Sequence, residues 1–328
     1  MKRLRPLSTV TLGLLALSAA SLAVPAAHAQ NYPARPVRVI VPFSAGGAAD
    51  TPGRLMLNKM SEAVGQQFVV DNRPGAGSTI GADLVAKAPA DGYTLLMVSN
   101  THVISAALYK KLPYDALNGF TPILQFGDAP NVLVVHPTLP VKSVKDLIAL
   151  AKAKPNQIDY ASSGNGSSQH LFMALFTSLA GIKMNHIPYK GSGQARTDLI
   201  SGQVTVGMPG ISSVIQHIEQ GRLRALAVTG AHRAAELPKV PTIAQAGVPG
   251  YEASLWLGFL GPKGLPNDVV AKLNTEVSNA LKDKDLKTRF ANIGTEIVYR
   301  GPEQWTAHLK SEAQKWAKVV KETGAQVN

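Results

Sequence analysis

The sequence predicts an α/β fold in two lobes, each a mostly parallel sheet flanked by helices. Short apolar runs rich in β-branched residues alternate with segments of helical period, which is typical of a sheet with helices on both faces. This alternation occurs twice along the chain, over residues 32–126 and again over residues 132–228. The segments that follow contain helices without enough strands to form a third sheet.

The first unit begins with a buried strand and ends at the third strand of the pattern. Its strands and helices are predicted at residues 37–41, 49–64, 68–70, 79–88 and 93–98. In the first of its helices, Leu55, Leu57 and Met60 have the spacing of a buried face.

The second unit repeats the same arrangement. Its strands are predicted at residues 131–135, 158–161, 185–188, 204–208 and 224–228, and its helices at residues 144–153, 169–179, 193–200 and 211–219. Two late helices, at residues 267–281 and 302–321, pack most simply back on the first unit. The chain then crosses between lobes twice, which predicts lobe 1 at residues 30–130 plus 255–328 and lobe 2 at residues 131–254. Two crossovers form a hinge, with a cleft between the lobes.

The N-terminus has the three parts of a secretory signal peptide over residues 1–29. Lys2, Arg3 and Arg5 precede an apolar run, and small residues end at Ala29, the predicted cleavage site. The strongly apolar part spans 13 residues, residues 12–24. A membrane-spanning helix needs about 20. We therefore predict export with cleavage, no direct membrane insertion and a periplasmic location.

The composition narrows the classes of partner and chemistry. The formal net charge is +12, or +9 without the three basic residues of the leader. No run of five Lys or Arg occurs, so the sequence predicts no nucleic-acid partner and instead a basic surface that attracts anions. The chain has no cysteine, which excludes disulfides and thiol chemistry, and its histidines lack the spacing of a metal site. We predict no metal and no cofactor.

Four loops rich in Gly and Ser each join a strand to a helix, where ligands bind in parallel sheets. They cover residues 42–50, 72–81, 162–170 and 189–195. The paired glycines of the first loop can turn backbone N–H groups towards an anion, but a plain tight turn explains them equally well. Asp50 either caps the following helix or faces the ligand, where it would favour an amine or hydroxyl. The second loop does not have the spacing of a dinucleotide loop, and we interpret it as a structural turn.

The third and fourth loops leave a catalytic alternative open. Ser167 lies near His170, and Ser192 lies between two glycines, which is compatible with an exported serine hydrolase of α/β class. However, no G-x-S-x-G elbow occurs in the chain. His170 is more typical of a polar helix residue than of a general base.

Taken together, the motifs resemble the periplasmic solute-binding receptors of the tripartite tricarboxylate transporters, also called Bug-type receptors. The resemblance covers the whole mature chain. It rests on motifs at residues 32–36, 41–50, 72–77, 90–96, 186–191 and 237–242. Each motif is weak alone, and their shared order gives the resemblance its strength.

The resemblance implies a hinged, two-lobed periplasmic-binding-protein fold without catalytic activity. It implies a monomer that captures a small carboxylate, such as a dicarboxylate or an aromatic acid, and delivers it to membrane transporter subunits. The residues that it places at the ligand are Phe43, Ser44, Ala45, Gly46, Gly47, Asp50, Ser99, Asn100, Thr101, Ser162, Asn165, Ser167, His170, Gly191, Gln194 and Ala195. The third loop departs from the usual family pattern, so the resemblance does not name the acid. A sensor subunit that works without a transporter is a further alternative.

Overall fold

The computed structural model describes residues 32–47 and 49–325. The predicted leader and the cleavage site at Ala29 lie outside the described residues. Within those two ranges, no helix combines the length and apolar character that crossing a bilayer requires.

Strands and helices alternate along the described residues, largely as predicted. The strands are β1 (Val37–Val41), β2 (Phe68–Asn72), β3 (Thr94–Ser99), β4 (Phe120–Ala129), β5 (Val132–Val135), β6 (Asp159–Ser162), β7 (Asn185–Pro188), β8 (Val206–Gly207), β9 (Arg224–Val228), β10 (Leu255–Pro262) and β11 (Glu296–Arg300). The helices are α1 (Asp50–Val64), α2 (Thr79–Ala86), α3 (Thr101–Leu108), α4 (Val144–Ala153), α5 (Ser168–Ala180), α6 (Ser192–Ser201), α7 (Ile211–Glu219), α8 (Asn267–Ala280), α9 (Lys284–Asn292) and α10 (Pro302–Thr323). Of these elements, α3, α9, β4, β10 and β11 were not predicted as such.

The strands form two sheets. The first has the order β11-β4-β10-β3-β1-β2, and the second has the order β7-β6-β8-β5-β9. In the first sheet β1 is parallel to β2 and β3, whereas β10 and β11 pair antiparallel. In the second sheet β6 is parallel to β7 and β8, whereas β5 is antiparallel to β8 and β9. The two-lobed α/β prediction is confirmed; the sheets themselves are mixed where the sequence predicted mostly parallel ones.

The mixed direction in the first sheet arises where the chain passes between sheets. β4 leads out to β5, and β9 leads back to β10. β4 and β10 pair side by side, with Leu255 opposite Ala129 and Trp256 opposite Asp128. Because one strand leaves and the other returns at the same place, the two run in opposite directions. Apolar periodicity shows that a strand is buried but not which way it runs, so the sequence could not predict this.

The packing of the late helices, α8 and α10, agrees only in part with the prediction. α8 contacts α1 and β4 of the first unit. α10 contacts α3 and β4, but it also contacts α5, which follows a strand of the second sheet. The buried face of α10 is a stripe at helical spacing, Trp305, Leu309, Glu312, Trp316 and Val319, and Trp316 in it stacks on Phe172 of α5. This helix therefore connects both units, whereas the sequence placed it on the first alone.

Candidate functional site

A cavity of about 350 Å³ lies where the loops of the two sheets meet. Its volume falls within the range of small-molecule sites. From the first unit and β10 it is lined by Pro42, Phe43, Ser44, Gly47, Ala49, Pro74, Gly75, Gly77, Ser78, Ser99, Thr101 and Leu255. From the second it is lined by Asn131, Ser163, Asn165, Gly166, Ser167, Ser168, Gln169, Gly191, Ser192 and Gly210. None of these described lining residues has a charged side chain.

Six helices begin at this cavity. On the first side, Ala49 precedes α1, Ser78 precedes α2 and Thr101 opens α3. On the second side, Ser168 opens α5, Ser192 opens α6 and Gly210 precedes α7. The N-terminal end of a helix carries a partial positive charge and N–H groups without intrahelical partners. The cavity is therefore suited to an anion without a lysine or arginine in its wall.

Asp50 organises the first loop. Its buried carboxylate accepts hydrogen bonds from the Gly46 N–H at 2.8 Å, from Arg54 Nε at 2.7 Å and from Asn72 Nδ2 at 2.7 Å. The N-cap of α1 is Ala49, and no side chain caps this helix, so the capping interpretation of Asp50 is wrong. Asp50 also does not line the cavity. Through these hydrogen bonds it instead fixes the shape of the first loop.

The charge of Asp50 is compatible with an anion nearby. Burial opposes ionisation of this carboxyl, but hydrogen bonds from Arg54, Asn72 and Gly46 outweigh it, and the pKa lies below its usual value. The carboxylate is thus ionised at neutral pH and paired with Arg54. The backbone N–H groups of Gly46 and Gly47 both make hydrogen bonds within the loop. That of Gly46 donates to Asp50, and that of Gly47 donates to the Ser44 carbonyl at 3.2 Å.

The second loop takes part in the cavity wall, although the sequence suggested only a turn. Four consecutive residues, Gly75, Ala76, Gly77 and Ser78, have positive φ angles of 127°, 45°, 62° and 77°. For a residue with a side chain, this region costs about 1–3 kcal/mol and recurs at ligand sites. The loop brings Ser78 against Thr101, with their hydroxyl oxygens 2.9 Å apart. A backbone this strained supports a binding role for the segment.

The end of β3 supplies hydroxyls and one buried amide. The Thr101 hydroxyl is also 2.9 Å from that of Ser99, so three hydroxyls form a chain at the cavity. Asn100 between them is fully buried, and its Oδ1 accepts a hydrogen bond from the Ser168 hydroxyl at 3.1 Å. Ser99 and Thr101 line the cavity, whereas Asn100 lies beside it.

The third loop is supported by residues behind it. Ser167 lines the cavity and caps α5 by accepting a hydrogen bond from the His170 N–H at 3.3 Å. The His170 Nδ1 accepts from the Gly166 N–H at 3.2 Å. Ser162 is buried, and its hydroxyl lies 2.6 Å from His186 Nε2 and bonds to both backbone groups of Gly164. Ser162 and His170 thus fix the loop without lining the cavity.

A stack of three aromatic rings supports the same loop, and the two histidines in the stack take up protons in acid. His170 stacks on His186 at 4.0 Å between ring centroids, and His186 stacks on Tyr160 at 4.9 Å. Burial lowers the pKa of both histidines to about 4, and their proximity contributes for His170. In the unfolded chain they take up protons near pH 6.5. The contribution of the neutral rings to stability is therefore complete above pH 6.5 and is lost as the pH falls towards 4.

We expect the melting temperature to fall as the pH is lowered from 6.5 to 4. Differential scanning fluorimetry in a buffer series checks this, with His186→Phe as the comparison because it keeps an aromatic ring in the stack. The variant should lose less stability per pH unit than the parent chain. Equal slopes for the two proteins would contradict the assignment.

The fourth loop contributes less than the sequence suggested. Gly191 and Ser192 line the cavity at the start of α6. Gln194 is exposed two residues further on, and Ala195 is buried beside Arg196 and Leu199, so neither lines the cavity.

The predicted site residues therefore divide into two sets. The set that lines the cavity is Phe43, Ser44, Gly47, Ser99, Thr101, Asn165, Ser167 and Gly191. The set that lies outside its wall is Ala45, Gly46, Asp50, Asn100, Ser162, His170, Gln194 and Ala195. Asp50, Ser162 and His170 support the loops, and Asn100 bonds to Ser168 in the wall.

Sequence reasoning missed part of the wall. Asn131, Gly210 and Leu255 come from crossover segments and from the start of α7, not from the Gly- and Ser-rich loops. Asn131 is held by the Thr229 hydroxyl at 2.9 Å and by the Met208 carbonyl at 2.6 Å. The signal that could have found Gly210 is its position directly after a strand and before a helix.

Ser167 and His170 do not form a nucleophile and base pair. Ser167 is engaged as a helix cap, and the His170 ring is engaged by the Gly166 N–H and by His186. A nucleophilic serine instead needs a base in hydrogen-bond reach of its hydroxyl. Within residues 32–47 and 49–325, no group of three acidic, His or Cys side chains could hold a metal ion.

Comparison with known proteins identifies the family. A family model described as the tripartite tricarboxylate transporter family receptor, TctC, matches residues 53–325. The chain is 40% identical to protein BugT of Bordetella pertussis over 313 residues, which cover 95% of this chain and 96% of that protein.

Two solved structures are similar in fold and sequence. One is an R. palustris protein solved with adipate, with 38% identity and a TM-score of 0.82 over 90% of this chain and 100% of the other. Another is MatC from Rhodopseudomonas palustris with bound malate, with 32% identity and a TM-score of 0.79 over 88% of this chain and 100% of the other. The match over most of the chain, the two-sheet fold and the uncharged cavity agree: this chain belongs to the tripartite tricarboxylate transporter receptor family.

Proposed function

We propose that this chain is an extracytoplasmic solute-binding protein that captures a small carboxylate and delivers it to a tripartite tricarboxylate-type membrane transporter. Receptors of this family are periplasmic solute-binding proteins. The observation that carries the proposal is the cavity wall, in which six helices begin and none of the described side chains is charged. Many oriented N–H dipoles replace the water shell of an anion there, and no opposing charge has to be neutralised.

The cavity and the relatives support a dicarboxylate or an aromatic acid as the ligand. The two similar structures hold adipate and malate, both dicarboxylates. Three helices begin on each side of the present cavity, which favours a ligand with an acidic group towards each side. Phe43 and Leu255 in the wall can contact an apolar body between the acidic groups, as in an aliphatic dicarboxylate or an aromatic acid.

The proposed working cycle uses the predicted lobes. Residues 30–130 plus 255–328 form lobe 1 and residues 131–254 form lobe 2, with the β4 and β10 crossovers as the hinge. Each lobe alone would bind weakly, because it supplies only half of the helix ends. Ligand populates the closed form, and the transporter recognises that form. The exported chain acts as a monomer without catalytic activity.

A thermal-shift screen tests the ligand class. We expect a dicarboxylate to raise the melting temperature, with a stabilisation of about 2.7 kcal/mol at a hundredfold excess over its Kd. Malate, succinate, adipate and aromatic acids are the ligands to test, and calorimetry gives Kd for each one that acts. The matched control is 1,6-diaminohexane, which has the length of adipate and the opposite charge. Stabilisation by the diamine, or by none of the acids after removal of any copurified ligand, would contradict the proposal.

A further inference from the structure

One face of α5 lines a second cavity, of about 390 Å³. This helix contributes His170, Ala174, Thr177 and Ser178, at the spacing of one helical face. The end of α10, a residue of β6 and the segments before β6 and β7 complete the wall. None of the described residues in this wall also lines the first cavity, and the volume falls within the range of small-molecule sites.

Two buried side chains with unused hydrogen-bonding atoms line the second cavity. His170 is 7% exposed, and its Nδ1 accepts from the Gly166 N–H, so the neutral ring carries its hydrogen on Nε2. The ring is uncharged at neutral pH, because burial lowers the pKa of His170 to about 4.

The second side chain is Tyr160, which is 5% exposed. Neither its hydroxyl nor the Nε2–H of His170 has a hydrogen-bond partner among the described residues. Buried polar groups are almost always paired. These two donors therefore call for an acceptor inside the cavity.

The exposed edge of the second cavity carries one charge of each sign. Among its described lining residues, Lys183 and Glu322 alone have charged side chains, and both are exposed. The described wall therefore has no net charge, which suits a zwitterion better than an acid. The last turns of α5 and α10 also lie here, and the C-terminal end of a helix carries a partial negative charge that favours an ammonium group. The first cavity, where six helices begin, has the opposite polarity.

We propose that the second cavity binds an α-amino acid with an apolar side chain. Its carboxylate accepts from the His170 Nε2–H and the Tyr160 hydroxyl, and its ammonium group faces Glu322 and the ends of α5 and α10. The apolar part of the wall that receives its side chain is Ala174, Ile182 and Met184. An amine without a carboxylate leaves the two buried donors unpaired, and an acid without an ammonium group brings a second negative charge towards Glu322. The inference is independent of the carboxylate site proposed above.

Leucine and two truncated analogues test the ligand class by calorimetry, with and without saturating adipate in the first cavity. We expect leucine to bind in both conditions. 3-Methylbutylamine lacks the carboxylate and 4-methylpentanoate lacks the ammonium group, so in the presence of adipate each should bind at least about tenfold more weakly, which is the effect of losing hydrogen bonds to a charged group.

Three variants test the residues. Tyr160→Phe keeps the ring in its stack on His186 and removes only the hydroxyl, so it should weaken leucine binding about tenfold. Glu322→Gln should weaken it about threefold, as expected for an exposed ion pair. Glu303→Gln makes the same change of charge at an exposed position at the start of the same helix and should leave leucine affinity unchanged. Circular dichroism verifies the folding of each variant.

The place of binding is tested by alkylation, since the chain has no cysteine. Ser178→Cys puts a single thiol at an exposed position of the second cavity, and Lys152→Cys puts one at an exposed position of α4 outside it. We expect leucine to slow the reaction of iodoacetamide with the first thiol at least about fivefold and to leave the second unchanged.

The inference fails if leucine does not bind the parent chain, or if adipate displaces it while the thiol of Ser178→Cys stays unprotected, because leucine would then occupy the first cavity. Equal affinity for leucine and either analogue would contradict a zwitterion. If no acid binds the first cavity, the proposed function fails, whereas leucine affinity and thiol protection still decide the second site.

Discussion

Replacing Asp50 with alanine is expected to lower the affinity for a carboxylate about tenfold or more and to destabilise the fold. The substitution leaves the Gly46 N–H and the Asn72 amide without their buried acceptor, and it leaves Arg54 without its carboxylate partner and bonded only to Asn72 Oδ1. Breaking charge-assisted hydrogen bonds of this kind costs about 3 kcal/mol. Because Asn72 also donates to the Phe43 carbonyl at 2.9 Å, the disturbance reaches the wall of the cavity.

Two further variants test whether the effect is specific to the buried carboxylate of Asp50. Asp50→Asn keeps the shape and one acceptor oxygen, so we expect an intermediate loss of both stability and affinity. Asp285→Ala removes a carboxylate with the same spacing to its arginine, but that pair is exposed, with 59% and 63% of the two side chains accessible. Its loss should cost less than about 1 kcal/mol. Urea unfolding and calorimetry measure the two effects, and an Asp50→Ala protein with parental affinity would show that the loop holds its shape without Asp50.

The sequence predicted a secondary-structure element well where neighbouring residues alone determine its ends. The helix at Val144–Ala153 was predicted with its observed ends, and in the structure Ser143 caps it by accepting a hydrogen bond from the Asp146 N–H at 3.1 Å. β11 was missed because it is an edge strand with half-exposed residues and no alternating apolar pattern. Strand direction was also not predictable, since Leu255 pairs with Ala129, which is distant in the sequence.

For the cavity, the sequence found loops but not the roles of their residues. The Gly- and Ser-rich turns before helices contain Ser44, Ser167 and Gly191, which lie in the wall, and their binding role stays a prediction. Whether a polar residue in such a loop faces the cavity or supports it depends on side-chain direction, which spacing does not give. His170 is an example, because its ring turns away to stack on His186. Asn131 was missed because it reaches the cavity only through the crossover between sheets.

Replacing Glu312 with alanine is expected to destabilise the chain by about 3–5 kcal/mol, because the two indole N–H groups and the Lys315 ammonium that pair with its buried carboxylate lose their partner. Glu312 Oε2 accepts hydrogen bonds from Trp256 Nε1 and Trp316 Nε1, each at 2.9 Å, and Lys315 pairs with Oε1. Burial opposes ionisation of Glu312, but Lys315 and the two indoles outweigh it, so its pKa lies below the usual value. This stabilisation is present at neutral pH and is lost as the pH falls through the lowered pKa.

The effect of Glu312→Ala should extend to the cavity. Trp256 lies on β10 beside the crossover, and Trp316 stacks on Phe172 of α5 at 5.7 Å between ring centroids. α5 begins in the cavity wall, so a shift of Trp316 changes the position of Ser168 and should weaken ligand binding. The chain has three tryptophans, and Trp305 is the third, 5.0 Å from Trp256 between ring centroids. Intrinsic fluorescence therefore reports on this cluster directly.

Urea unfolding followed by tryptophan fluorescence measures the loss, and the same helix provides the control. Lys318 and Glu322 form an exposed pair at 3.8 Å, and Lys318→Ala should change stability by less than about 0.5 kcal/mol. Glu312→Gln keeps one oxygen for the indoles, so it should fall between the parent and Glu312→Ala. If Glu312→Ala unfolded at the parental urea concentration, the two indole N–H groups would have to find other acceptors. If Glu312→Ala were destabilised but bound ligand with the parental affinity, α10 would support the fold without setting the position of α5. The contacts from Trp256 on β10 through Trp316 to α5 would then have no effect on the cavity.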